Sequence, residues 1–351
     1  MKRVAVLGST GIVGQRLMVM LWKHPWFEPI PVTLSTDKAG KKYGEAVDWV
    51  IDWVMPEGLG ELTLEAYGVT RLRELGADFV ISALPSSVAA EIEPELAKEG
   101  FAIVSNASAM RLEPDIPLIN PEVNASHVEL IREQKRREWR GFIVKVPNCT
   151  TSILTLTLKP IRDAFGIDLV AVTSMQAISG AGYHGLPAVK IAGNLIPYIK
   201  GEEDKVREET KKILGTVESG RVKRAGFSVM ASTNRVPVLD GHTLSVFVKS
   251  EGSAEPEDVI KVLEEFPRNE IAGLELPTAP KSPVKVLDSE DRPQPRLDVS
   301  AGGGMTVTVG RVRKDPDTGW IKYVALGHNT VRGAAGNAVL ISELLLKRGL
   351  I

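Results

Sequence analysis

Seven residues near the N-terminus limit the possible folds most. An apolar run over residues 4–7 enters Gly8-Ser9-Thr10-Gly11-Ile12-Val13-Gly14, and a helical pattern follows over 11–22, with Ile12, Leu17 and Leu21 among its apolar positions. The spacing G-x-x-G-x-x-G is a variant of the dinucleotide fingerprint. Its glycines permit a tight turn and let backbone N–H groups approach a pyrophosphate at the helix N-terminus. The motif is weak alone, but its position after a strand, before a helix and at the chain start points to a nucleotide site. A glycine-rich strand–helix turn without a ligand is the bland alternative.

The first half continues that alternation. Strand-like runs recur at 30–34, 79–83 and 102–105, with a helix over 88–99. This β-α-β-β-α-β rhythm predicts an α/β fold with a Rossmann-type, doubly wound parallel sheet. Segment 37–64 carries no assignable pattern. Beyond it, a helix is predicted over 151–165, then β-type runs at 169–177, 235–238, 243–249 and 305–312. Their wide spacing predicts a second, α+β domain with a mixed or antiparallel sheet and helices on one face. A charged helix is expected over 201–214. The proline-rich stretch 277–297 reads as a long surface connection. Residues 329–350 read as a helix, with Ala334, Ala338, Ile341 and Leu345 at helical spacing.

Composition narrows the function classes. The chain has 351 residues, 43 Lys plus Arg against 44 Asp plus Glu, a net charge of −1, and one cysteine. Near-neutral charge gives no general attraction to nucleic acid or an anionic membrane. One cysteine makes no internal disulfide and no multi-Cys metal cluster, and no metal is expected. No apolar stretch reaches the roughly 20 residues of a membrane span, and the run at 4–7 is too short for a signal-peptide core. The expectation is a soluble, cytoplasmic protein.

Two local contexts carry chemistry. The second strand ends in Ser35-Thr36, followed by Asp37-Lys38, with Lys41 and Lys42 close behind. NAD-type folds place an acidic residue there for the ribose 2′-hydroxyl. Hydroxyls and cations suit a 2′-phosphate, so NADP is favoured, with NAD the weaker alternative through Asp37. The lone cysteine lies in Val146-Pro147-Asn148-Cys149-Thr150-Thr151-Ser152, at the expected start of a helix. A helix N-terminus can lower a thiol pKa from its free value of about 8.5. An isolated cysteine is otherwise a small buried hydrophobe, but the polar neighbours argue against that. A nucleophile needs a base. His242, in Asp240-Gly241-His242, is the candidate, and His184, after Ser179-Gly180-Ala181-Gly182, is its rival.

Together these residues resemble aspartate-semialdehyde dehydrogenase, most closely its archaeal and fungal branch, over essentially the whole chain. The resemblance rests on the glycine loop, Asn106-Ala107-Ser108-Ala109-Met110-Arg111, Pro147-Asn148-Cys149-Thr150, Gln176-Ala177-Ile178-Ser179-Gly180-Ala181-Gly182, Gly201-Glu202-Glu203-Asp204-Lys205, the stretch 235–242, and His328-Asn329-Thr330-Val331-Arg332-Gly333-Ala334-Ala335.

It implies that Cys149 attacks an acyl phosphate and forms a thioester, that His242 acts as general acid/base, and that Gln176 and Asn148 orient the substrate. Arg235 would fork onto the α-carboxylate and Glu202, or Glu203 beside it, would pair with the ammonium group. Arg111, Lys205 and Ser108 would hold phosphate. Gly8, Thr10, Gly11, Ile12, Val13, Gly14, Ser35, Thr36, Ser86, Ser179, Gly180 and Asn329 would contact the cofactor. Glu202 and Lys205, at i,i+3, can equally be a plain surface pair. Arg111, Lys205 and Arg235 are expected to form a local cationic pocket.

The implied architecture is a dinucleotide-binding domain of residues 1–148 and 328–351 with a catalytic and dimerisation domain of 149–327, in a homodimer or homotetramer. Malonyl-CoA or succinyl-CoA reductases share this design but have no ammonium group to bind. A non-catalytic NADP-binding module and a cysteine hydrolase are the readings from other classes.

Overall fold

The computed structural model describes residues 1–266 and 269–351. Its first sheet comprises β1 (Lys2–Leu7), β2 (Phe27–Thr33), β3 (Glu65–Ala66), β4 (Phe79–Ser82), β5 (Ala102–Ser105) and β6 (Phe142–Lys145). The order is β3-β2-β1-β4-β5-β6, with every pair parallel. These strands are short, nearly continuous apolar runs because helices cover both faces. The helix Ile12–Leu21 follows β1, and Ser86–Lys98 connects β4 to β5. Strand order reverses between β1 and β4, so the glycine loop lies at the switch point, where open α/β sheets bind ligands. Segment 37–64, patternless in sequence, has a structural task. It holds the short helix Tyr43–Ala46, and the buried Tyr43 hydroxyl donates to the Ser9 carbonyl at 2.7 Å, bracing the loop.

The second half contributes β7 (Leu169–Gln176), β8 (Thr216–Glu218), β9 (Arg221–Lys223), β10 (Ser228–Arg235), β11 (His242–Lys249), β12 (Val284–Leu287), β13 (Val307–Lys314) and β14 (Ile321–Gly327). Among the described residues β8 and β9 pair only with each other. The rest form a mixed sheet, β10-β7-β11-β14-β13-β12. One face buries Val170, Val172, Leu244, Val246 and Val248 in a core shared with Ile153, Leu156 and Ile161 of the Cys149–Phe165 helix.

Three sequence expectations change here. The strand expected over 235–238 lies upstream and ends at Arg235. Its alternating Ser, Thr and Asn residues hid it, and Pro237, without an N–H, falls outside the ladder. The stretch 277–297 is more than a surface connection: it contains β12, parallel to β13, with Val284 buried. The last helix is shorter than expected. A wide turn over Val331–Ala335, closed by Gly333 and Ala335 N–H groups on the His328 and Thr330 carbonyls, precedes the helix Gly336–Lys347. That helix buries Ala338, Ile341, Leu344 and Leu345 in the core of the first sheet, against Val4, Leu17 and Phe79.

Topology then gathers the chemistry. Gln176 ends β7 and is the register partner of Arg235, which ends the parallel β10. His242 begins β11, antiparallel to β7. All three therefore emerge at one end of the mixed sheet's strands.

Candidate active site

Cys149 is the first residue of its helix, and Asn148 caps it. The Asn148 side-chain oxygen accepts the Thr150 and Thr151 N–H groups at 2.9 and 3.1 Å. The Asn148 side chain therefore serves the cap, as Ncap chemistry requires. Gly333 presses on the nucleophile from behind: a Cβ there would lie 2.6 Å from that of Cys149. In front, Cys149 Sγ lies 3.2 Å from His242 Nε2. The buried His242 accepts the Ala177 N–H on Nδ1 at 3.1 Å, which places the neutral ring's proton on Nε2, facing sulfur. Burial and the nearby Arg235 and His328 hold this imidazole well below the ordinary histidine pKa. His184 is exposed and packs edge-on against Tyr183. The ring nitrogen on Sγ belongs to His242.

The expected lowering of the thiol pKa does not hold in this arrangement. Burial, with the Glu202 carboxylate second, pushes Cys149 up to about 12, while Arg235, Arg111 and the Thr150 N–H pull the other way. The helix N-terminus contributes its stabilising amide, and desolvation outweighs it.

Nor is the pocket simply cationic. Arg111 Nη1 donates to Glu209 Oε1 at 3.0 Å and its Nη2 to the Asn106 carbonyl. Lys205 Nζ is 3.5 Å from Glu202 Oε2. Arg235 Nη1 donates to the Ala177 carbonyl at 2.6 Å. Two buried carboxylates interleave with three cations. Glu202 is the glutamate in the site: its Oε1 accepts Asn148 Nδ2 at 2.7 Å and Gln176 Nε2 at 3.2 Å. Glu203 turns away to the Thr233 N–H. Glu202 is thus buried and engaged, which the surface-pair reading does not explain; Lys205 is its partly exposed neighbour. Ser108 Oγ meets Ser86 Oγ at 2.7 Å, joining two residues expected on different ligands. Gly180 lets its turn approach the site, since a Cβ there would lie 2.6 Å from Arg235 Nη1.

The glycine loop fits a dinucleotide. Gly8 has φ +73°, and a Cβ there would lie 2.8 Å from the Ala83 carbonyl oxygen, so packing alone requires glycine. Gly11 is different: its φ is −80°, and among the described residues the only neighbour to a Cβ is the Gly8 oxygen at 3.6 Å. The protein's interior places no demand for glycine there, whereas close approach of a ligand to the loop's outer face would. Gly11 is also the uncapped start of the Ile12–Leu21 helix, which begins with Ile12 and Val13. Thr10 lies in the loop, its carbonyl accepting Gln15 Nε2. Ser35 and Thr36 are exposed at the end of β2. Asn329 takes the Gly241 N–H on its oxygen and donates to Ser179 Oγ at 2.8 Å, and Ser179 donates to Asp240.

Residues 3–131 match the family model described as semialdehyde dehydrogenase, NAD binding domain, and residues 158–332 match semialdehyde dehydrogenase, dimerisation domain. The chain belongs to the semialdehyde dehydrogenase family. Within it, an aspartate-semialdehyde dehydrogenase of Archaeoglobus fulgidus is 48% identical over 99% of both chains. One of Methanothermobacter thermautotrophicus is 49% identical over 98% of this chain and 99% of its own. The crystal structure of aspartate semialdehyde dehydrogenase with NADP from Candida albicans superposes with a TM-score of 0.89 at 39% identity, covering 100% of this chain and 99% of that one. A malonyl CoA reductase (NADP) of Metallosphaera sedula is 37% identical over 99% of this chain and 98% of its own.

This semialdehyde dehydrogenase chain has further site neighbours that sequence reading did not single out. Glu209 and Lys212 reach the Arg111 segment from the Glu202–Ile213 helix, and Arg16 of the Ile12–Leu21 helix meets Asp240 of the turn before β11 at 3.4 Å. For the first two a signal was present: Glu202, Lys205, Glu209 and Lys212 recur along one helical stripe, and only inward-facing charges explain why three of the four are buried. No such spacing links Arg16 to Asp240.

Proposed function

We propose that this protein is an NADP-dependent aspartate-semialdehyde dehydrogenase. It converts L-aspartyl 4-phosphate reversibly to L-aspartate 4-semialdehyde through a thioester on Cys149, in the route to lysine, threonine and methionine. The observation that carries this reading is Cys149 Sγ 3.2 Å from His242 Nε2 at a helix start, beside a buried carboxylate and guanidinium that match an amino acid's two charges. The names and high identity of the relatives support it. A CoA-ester substrate offers no ammonium group for Glu202.

In this mechanism Arg235 takes the α-carboxylate with the N–H groups not used on Ala177. Glu202, held by Asn148 and Gln176, takes the ammonium. That pairing neutralises the charge that pushes the thiol up, so bound substrate favours the thiolate. Arg111, Lys205 and Ser108 hold the phosphate. Cys149 sulfur attacks the acyl carbon, the carbon–oxygen bond to phosphate breaks, and phosphate leaves with the bonding electrons and the thiol's proton. Reduction of the thioester carbon would use a hydride that the nicotinamide would supply when bound. The oxygen then gains negative charge, and the His242 Nε2–H is the donor facing it. Collapse of the tetrahedral adduct restores C=O and expels the Cys149 thiolate without a net proton transfer at that step.

Gly8, Gly11 and Gly14 with Thr10, Ile12 and Val13 would cradle the pyrophosphate. Ser35 and Thr36 would meet the 2′-phosphate, and Ser86, Ser179, Gly180 and Asn329 the nicotinamide half. Residues 1–148 and 328–351 serve as the dinucleotide domain and 149–327 as the catalytic domain, in a homo-oligomer joined through the open face of the mixed sheet.

The test is phosphate-dependent NADP reduction with aspartate semialdehyde beside malonyl-CoA-dependent NADPH oxidation. We expect the first activity, and its loss by several orders of magnitude in Cys149→Ser with NADP binding retained. Activity with the CoA ester alone would overturn the substrate, and full activity in Cys149→Ser the mechanism.

A further inference from the structure

We propose that Glu209 is the positioning residue that sets Arg111 and the backbone of Asn148 together, so that the phosphate ligand and the nucleophile's helix keep a fixed separation. The proposal rests on the reading that Arg111 binds an anionic group of the substrate.

Glu209 is buried on the Glu202–Ile213 helix, two turns beyond Glu202 and on the same stripe. Its two oxygens serve two different segments. Oε1 accepts Arg111 Nη1 at 3.0 Å, and Oε2 accepts the Asn148 N–H at 2.6 Å. The same Asn148 is held at its side chain by Glu202 and caps the cysteine helix with its own oxygen. One helix therefore grips the residue before the nucleophile at both backbone and side chain. A third contact reinforces the grip: buried Lys212, three residues on, donates to the Arg111, Glu113 and Ile116 carbonyls at 2.8, 2.7 and 2.7 Å.

Arg111 is thereby fixed at Nη1 and Nη2, while its buried Nε has no acceptor among the described residues. A buried guanidinium N–H left in this way is costly unless something anionic takes it, which suits a phosphate oxygen. A carboxylate alone can serve both of Glu209's partners, because both are donors. The amide of glutamine has one accepting oxygen and must set its NH2 against the other donor.

The experiment compares Glu209→Gln, the shorter Glu209→Asp and the surface control Glu208→Gln in the full-length protein. Phosphate-dependent NADP reduction is measured with each substrate varied. Glu209→Gln is expected to raise KM for phosphate about tenfold, with KM for NADP within twofold of wild type. Glu209→Asp, which keeps the charge, should recover part of that loss, and Glu208→Gln should match wild type. In an Arg111→Gln background the further cost of Glu209→Gln in phosphate KM should shrink to less than twofold.

An unchanged phosphate KM in Glu209→Gln would overturn the proposal, as would an equal cost with and without Arg111. If wild type shows no phosphate-dependent turnover, it is the proposed function that fails. Glu209 is then read by phosphate protection of Cys149 against iodoacetamide. Protection in wild type that is lost in Glu209→Gln supports the role; equal protection in both, or none in either, overturns it.

Discussion

At the scale of single residues the site is a balance of desolvation against charge, and the sequence shows only one side of it. Cys149 and His242 stand out because polar residues flank the only cysteine and a glycine-bounded turn precedes the histidine. The direction in which the thiol pKa moves does not stand out, since it depends on burial and on a glutamate 53 residues away in the chain. Burial and Glu202 both disfavour the thiolate, so removing the Glu202 charge must lower the Cys149 pKa. In Glu202→Gln the pH profile of iodoacetamide alkylation should therefore move to lower pH. At any pH below the wild-type pKa the alkylation rate should rise, because the thiolate fraction grows by up to about tenfold each time the pKa falls by one. Turnover should move the other way, with a higher KM for aspartate semialdehyde, because its ammonium loses its partner. An alkylation profile unmoved, or moved to higher pH, would show that Glu202 does not act on the sulfur.

At the scale of elements, what was legible followed from local periodicity, and what was not depended on partners. The glycine loop, the helix after it and the cysteine helix are each written in consecutive residues. β10 alternates Ser, Met, Ser and Asn with Val, Ala, Thr and Arg, and reads as a strand only once β7 lies beside it. β12 sits among prolines and becomes a strand by pairing with β13. Asn148 joins the two levels, since it is both a local helix cap and a donor to Glu202. The functions separate by substitution. Asn148→Ala loses the cap, at a cost of about 1 kcal/mol in urea unfolding from the cap alone. It also strands Glu202 without its best donor. Asn148→Asp keeps a capping oxygen but sets a carboxylate against the buried Glu202. Asn148→Asp should thus recover the cap's share of stability without recovering turnover. If both return together in Asn148→Asp, the donor role is absent; if neither returns, repulsion from Glu202 dominates the fold as well.

At the scale of the whole molecule, two cores meet where the chemistry sits, and a buried ion pair ties them. Arg332 in the wide turn donates from Nη1 to Glu122 at 2.7 Å and from Nη2 to Asn120 at 2.9 Å, and Asn120 in turn donates to the Ser152 carbonyl of the cysteine helix. The turn and the helix after it thereby join the first core to the nucleophile's support. One large surface is left without such cover. Among the described residues the mixed sheet carries helices on one face only, and on the other the register places Met230 and Phe247 on either side of Ala171. Met230 is 61% exposed and Phe247 37%, and Thr173, Ser232 and Ser245 surround them on neighbouring strands. An antiparallel or mixed sheet can face water on one side, but then its outer residues are polar. A row of Met, Ala and Phe flanked by hydroxyls has instead the make-up of an interface core with a polar rim. The matched dimerisation domain spans all three strands, so the occupant we expect is a second copy of the chain. Met230→Lys with Phe247→Lys should shift the oligomer to a species of half the mass or less in light scattering. Far-ultraviolet circular dichroism should stay at the wild-type level, because both side chains point away from the core. An unchanged mass in the double variant would mean that copies meet elsewhere, and the exposed row would then have to be covered by something other than this chain.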